Sequence, residues 1–139
     1  MKKNAFLLLT PLIFLLLYHQ VFVADYAYLD EAYQLWNNRD QTNYHMFLTQ
    51  GRWLTGLLFR SFFGALSSIE ELKYIRIFSF AGWVLTACLW LRFFRRWAAA
   101  ATLDDRIPAL AQVFLICSLP VAIYIGWASC FELFLGVAA

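Results

Sequence analysis

Three long apolar stretches divide the chain: residues 5–24 run for 20 positions without Asp, Glu, Lys or Arg, residues 77–91 for 15, and residues 107–131 for 25. A hydrocarbon core of ~30 Å takes about 20 helical residues at ~1.5 Å each. The first stretch is therefore a span as it stands. The second reaches that length once Tyr74, Ile75 and Arg76 are added on one side and Phe93 and Phe94 on the other, with Arg76 and Arg92 snorkelling from its ends. The third is long enough to tilt, cross and then turn. The pattern predicts an all-α, polytopic membrane protein with transmembrane spans at about 5–24, 74–94 and 107–128. A further apolar run begins at "LFLGVAA", so residues 1–139 read as an N-terminal transmembrane module, a piece of a longer protein entering a fourth span.

Residues 25–73 are too many for a turn and too aromatic for a disordered linker. Two interfacial amphipathic helices are predicted there. In the first, Tyr28, Leu29, Ala32, Leu35 and Trp36 share a stripe, while Asp30, Glu31, Gln34 and Asn37 fall off it and form a solvated face. Asp25 precedes it as an N-cap would. "NNRDQTN" at 37–43 reads as a loop. The second helix is expected over 45–63, with Thr49, Arg52, Gly56 and Arg60 as its polar stripe and the remainder facing lipid. Ser67 or Ser68 followed by Glu70 or Glu71 resembles a capping box for the next helix.

Composition agrees with the spans: 63% of residues are hydrophobic and only 14% charged, well below the roughly one quarter of globular chains. Lys2 and Lys3 precede the first span, and Arg92, Arg95, Arg96 and Arg106 crowd the short link between the second and third. Short basic links stay cytoplasmic, so the N-terminus is predicted inside and the 25–73 loop outside. A net charge of +2 held at membrane edges excludes nucleic acid as a partner. "MKKNAFLLLTPLIFLLL" also has the form of a secretory signal, but cleavage after Ala24 would put Phe22 where a small residue belongs, so the segment is read as retained. Cys88, Cys117 and Cys130 match no metal spacing.

The outer loop carries the candidate chemistry. Asp25, Asp30 and Glu31 stand where the first span leaves lipid, and a shielded carboxylate there can take a proton from a hydroxyl. Arg52 and Arg60 lie on one predicted helix face, and the planar fork of arginine suits phosphate. Arg52 has a plainer role open to it, pairing with a loop carboxylate or a lipid headgroup. Tyr28 and Trp36 offer flat faces to a sugar ring, although interfacial belts collect such residues in any case. Glu132 follows the third span and emerges on the same side as Asp25; Trp127 marks that interface, and Pro120 is expected to bend the helix below it.

The order of "ADYAYLDEAYQLW" after the first span, "HMFLTQGRWLTGLLF", "YIRIFSF" opening the second and "SLPVAIYIGWAS" in the third resembles the N-terminal part of C-type glycosyltransferases (GT-C fold), particularly bacterial O-antigen glucosyltransferase-like membrane proteins. The resemblance implies sugar transfer, by the full-length protein, from a polyprenyl-phosphate-linked donor to a glycan or lipid acceptor outside the bacterial cytoplasmic (inner) membrane; with only about three helices to wall a cavity, this piece alone is expected to be inactive. It implies Asp25 as the catalytic acid, Asp30 or Glu31 as a second acid that assists or binds a divalent metal ion, and Arg52 in "GRW" facing donor or acceptor. Members often carry two adjacent acids where this chain has Asp25 followed by Tyr26, which leaves the choice between Asp25 and the Asp30–Glu31 pair open. Two other readings stand beside it: a non-enzymatic membrane scaffold whose loop docks a partner, and part of a sugar-lipid transporter.

Overall fold

The computed structural model describes residues 5–37, 42–104 and 106–138, and these are mainly helical with no strand among them. Lys2, Lys3 and positions 38–41 of the expected loop lie outside the described residues. Helix α1 (Ala5–Tyr18) continues as a 3₁₀ turn, His19–Phe22, and an irregular segment at 24–28 leads to α2 (Leu29–Asn37). Helices α3 (Thr42–Thr49) and α4 (Trp53–Gly64) form a hairpin. Then come α5 (Leu72–Ala100), α6 (Ile107–Ile116), α7 (Leu119–Gly126), a 3₁₀ turn at Ala128–Cys130 and α8 (Leu133–Ala138).

Helix α5 is the axis, about 44 Å long at 1.5 Å per residue. Against it pack α1, α6, α7 and α8. Close approach is possible because Gly82 presents no side chain: a Cβ there would sit 2.4 Å from the Phe134 ring of α8. Two apolar clusters result. One holds Phe14, Trp83, Ile116, Val121, Ile125 and Phe134 between α1, α5, α7 and α8. The other gathers the α3–α4 hairpin onto the 128–131 corner, where Phe131 meets Phe59, Phe62 and Phe78 with ring centroids 5.3, 5.0 and 6.0 Å away.

With its 3₁₀ entry, the Ile69–Ala100 helix is long and apolar enough to cross a membrane. The α6–α7 pair passes the same criterion jointly but bends by 47°, while Leu9–Phe22 and Ala128–Ala138 are apolar and shorter. The bend has the expected cause. Pro120 has no N–H for the carbonyl four residues back, at Ile116. That carbonyl accepts instead from the Tyr18 hydroxyl at 2.5 Å, so the helix break becomes an inter-helix bond.

Several local expectations change. The helix expected over 45–63 is two, divided by a Schellman turn in which Gly51 N–H bonds Leu48 O and Arg52 N–H bonds Phe47 O, with Gly51 at φ +74°. Gly56, expected on a polar stripe, is buried in the hairpin where a Cβ would lie 3.1 Å from Phe47 Cβ. Asp25 is no N-cap, because α2 begins at Leu29 and the reach-back bond runs from Tyr28 N–H to Glu31. The α2 stripe is also turned: Leu29, Tyr28 and Trp36 are exposed, and Glu31 with Leu35 faces inward. Arg76 does not snorkel. It is fully buried and paired with Glu31, Nη2 to Oε2 at 2.6 Å. The expected capping box does not close, because neither Ser68 nor Glu71 makes a side-chain cap bond; Glu71 Oε2 instead accepts from Ser67 N–H at 2.6 Å and from the Ser67 hydroxyl at 3.1 Å, four residues back.

Two outcomes test this packing. Glu31→Ala leaves a buried guanidinium without its anion and is expected to cost about 3–5 kcal/mol. Thermal unfolding in detergent should show a smaller loss for the Glu31→Ala/Arg76→Met double variant than the two single losses summed. Gly82→Val forces a branched side chain into the Phe134 ring and should cost about 1–3 kcal/mol by the same measurement.

Candidate functional site

The polar groups collect at one end of the bundle, where the 24–28 segment, the α3–α4 hairpin, the start of α5 and the Ala128–Cys130 turn converge. Tyr26 ties three of these together. Its hydroxyl donates to Gly126 O at 2.7 Å, its carbonyl accepts from Arg76 Nη2 at 2.7 Å, and its ring lies 3.7 Å from the Arg76 guanidinium carbon. Burial pushes the Tyr26 hydroxyl above its ordinary pKa, with the Arg76 charge acting against that shift.

Glu31 is the centre of this arrangement. Oε2 accepts from Arg76 and from Tyr28 N–H at 2.9 Å, the reciprocal bond of a capping box, and Oε1 accepts from Ala128 N–H. Its side chain has no exposed surface. The solvated face expected for Glu31 is corrected: enclosed by a cation and two backbone amides, it holds α2, α5 and the 128 corner in register. For the same reason it does not fit a divalent metal jointly with Asp30. Among the described residues no group of three or more His, Cys, Asp or Glu side chains could hold one.

Arg52 is presented by the Schellman turn at the tip of the hairpin. Its guanidinium stacks on Phe47 at 5.3 Å and its Nη2 lies 3.5 Å from Glu132 Oε1. The loop-carboxylate role considered for Arg52 is thus met by a residue 80 positions away. The Glu132 side chain is 9% exposed and that of Arg52 50%. Glu132 Oε2 is buried without a hydrogen-bond partner. Burial raises the Glu132 carboxyl above the usual range, and its own backbone N–H, Arg52 and the Thr55 hydroxyl oppose the shift.

Cys130 reports how closely these charges gather. Its thiol is pushed up to about 11, first by burial and then by Glu132, Glu31 and Asp30, with Arg52 pulling it down. Four of the expected site residues therefore share one electrostatic neighbourhood. Asp25 stands exposed in the 24–28 segment, outside that set. Arg60 lies about 12 Å further along α4, exposed and stacked on Tyr44 at 5.4 Å. Tyr28 packs its ring against Tyr26 and Trp127 at 5.6 and 5.5 Å, while Trp36 is exposed near the far end of α2. Sequence reasoning missed Tyr26, Arg76 and Cys130 as members of this site. Arg76 stands at the edge of the apolar run with Lys73 and Ser79 three residues to either side, so local pattern carried no signal of its burial.

The chain matches no family model, no curated protein and no solved structure.

The charge cluster predicts cysteine reactivity. With Cys88 and Cys117 replaced by serine, alkylation of Cys130 should follow a thiolate that forms near pH 11 rather than 9. Glu132→Gln should shift that rate profile to lower pH and Arg52→Gln to higher pH.

Proposed function

We propose that this chain is a polytopic membrane module of a C-type glycosyltransferase, moving a sugar from a polyprenyl-phosphate donor to an extracytoplasmic acceptor. The observation that carries the reading is the convergence of Asp30, Arg52 and Glu132 on one corner, directly above an apolar body. That body is unusually uncovered. Leu16, Leu85, Leu110, Phe114 and Leu119 on α1, α5, α6 and α7 are each more than 60% exposed, a surface suited to lipid rather than water. In this reading α1, α5 and the bent α6–α7 pair cross the bilayer, α8 re-enters it, and basic residues at the α5–α6 link place that end inside. The exposed Trp53, Leu54 and Leu57 of α4 rest in the outer leaflet, bringing Arg52 to phosphate depth.

Chemically, Arg52 is suited to the leaving phosphate and the nearby carboxylates to the acceptor proton. Asp25 and Asp30 are exposed to solvent and Glu31 is not. The scaffold alternative draws on one observation, the exposed Leu29, Tyr33 and Trp36 face of α2.

Membranes containing the full-length protein, given a labelled polyprenyl-phosphate hexose, should transfer label to an outer acceptor, whereas residues 1–139 alone should not. Arg52→Ala should reduce the rate about 10²-fold or more. Absence of transfer, with partner capture that depends on Tyr33 and Trp36, would instead favour the scaffold. Topology is checked separately: an impermeant maleimide should label Ser67→Cys from outside and Leu103→Cys only after permeabilisation.

A further inference from the structure

The sugar-transfer reading leaves undecided which carboxylate handles the proton, and the environments at this corner differ sharply. Asp25 and Asp30 are exposed. A fully hydrated carboxylate holds its water tightly and is a weak base toward a hydroxyl. Glu31 has its oxygens enclosed by Arg76, Tyr28 and Ala128. Glu132 is different from all three. It is 8% exposed, Oε1 faces Arg52, and Oε2 is buried with unmet acceptor capacity. A buried carboxylate oxygen without a donor marks a place where a donor belongs.

The fold holds Glu132 firmly. Ala128, four residues before it, is fixed by its N–H to Glu31, and Phe131 beside it is fully buried among the rings of α4 and α5. Access comes from the other side, through the half-exposed Arg52 side chain at the hairpin tip. A firmly held, partly shielded base with one half-exposed cation at its mouth is the arrangement proton transfer calls for.

We propose, resting on the sugar-transfer reading, that Glu132 rather than Asp25 is the base that deprotonates the acceptor hydroxyl, with Arg52 positioning it and receiving the donor phosphate. The acceptor O–H proton passes to Glu132 Oε2 as the acceptor oxygen bonds the anomeric carbon. The bond from that carbon to the phosphate oxygen breaks, and its electron pair leaves with the polyprenyl phosphate, whose charge turns Arg52 away from Glu132. The proton is then released to solvent. The groups facing Glu132 are Arg52 from the α3–α4 turn, Thr55 from α4 and Cys130 from its own corner, and the charges of Asp30 and Glu31 on α2 act on Cys130. Burial holds its carboxyl above the ordinary carboxylate range, so the base form is lost as pH falls through that raised value.

The test is the initial transfer rate in membranes containing the full-length protein, measured against pH and donor concentration. Glu132→Gln should lower kcat by about 10²–10⁴ and leave the donor KM within about twofold. Glu132→Asp should retain part of the rate with a displaced acid limb, and Arg52→Gln should move that limb to higher pH, because a cation that favours the carboxylate is gone. A Glu70→Gln control on the exposed surface should behave as wild type. Should Glu132→Gln fail to fold, by thermal unfolding, the limb shifts of the Asp and Arg52 variants decide: unmoved limbs overturn the assignment. Wild-type kcat in Glu132→Gln, or loss confined to Asp25→Asn, also overturns it while leaving the sugar-transfer reading intact. No transfer by the wild type overturns both.

Discussion

Everything at the polar end depends on the buried Glu31–Arg76 pair. Enclosing two charges is costly, and the cost is offset only where geometry and further hydrogen bonds are good. Here the carboxylate also accepts from Tyr28 and Ala128 N–H, and the guanidinium donates to the Tyr26 carbonyl and lies against the Tyr26 ring. Arg76 Nε and Nη1 nevertheless have no partner. A pair of this kind adds less to net stability than apolar packing of equal volume would. Its contribution is register: one carboxylate sets the position of the exit from α1, the start of α2, the upper part of α5 and the 128 corner.

The candidate site inherits its geometry from that register. Glu132 is placed by the backbone that Glu31 grips at Ala128, and Arg52 is placed by a glycine turn whose hairpin packs on Phe131 through tilted ring contacts. The anchoring carboxylate and the proposed base are thus different residues. The carboxylate that holds the structure together is enclosed on all sides, and the one left with a vacant oxygen faces a half-exposed cation. A single acid could not do both, since the contacts that fix Glu31 are the same ones that remove it from a substrate.

The body beneath follows a related economy of polar groups. An unmet carbonyl buried among apolar side chains is costly. The one that Pro120 releases at Ile116 is taken by Tyr18, and Gln112 reaches from α6 to the Ala87 carbonyl of α5 at 2.8 Å. Breaks and polar side chains in the apolar helices therefore act as ties between helices, which lets a bent α6–α7 pair stay docked on a long straight α5.

Much of this was legible from local pattern. The helical class, the long apolar α5, the bend near Pro120 and the grouping of Asp30, Arg52 and Glu132 at one end all follow from periodicity, proline chemistry and where apolar runs stop. Gly51 also carried a signal for the split between α3 and α4, since a glycine followed by an arginine in mid-helix is the composition of a Schellman stop. The inward turn of Glu31, the burial of Arg76 and the 80-residue reach from Arg52 to Glu132 were decided by tertiary structure alone. Periodicity ranks faces by their apolar content, and an acid reads as solvated on that scale. Whether it is enclosed depends on a partner 45 residues away along the chain, and only the folded packing of α2 on α5 brings that cation within 2.6 Å.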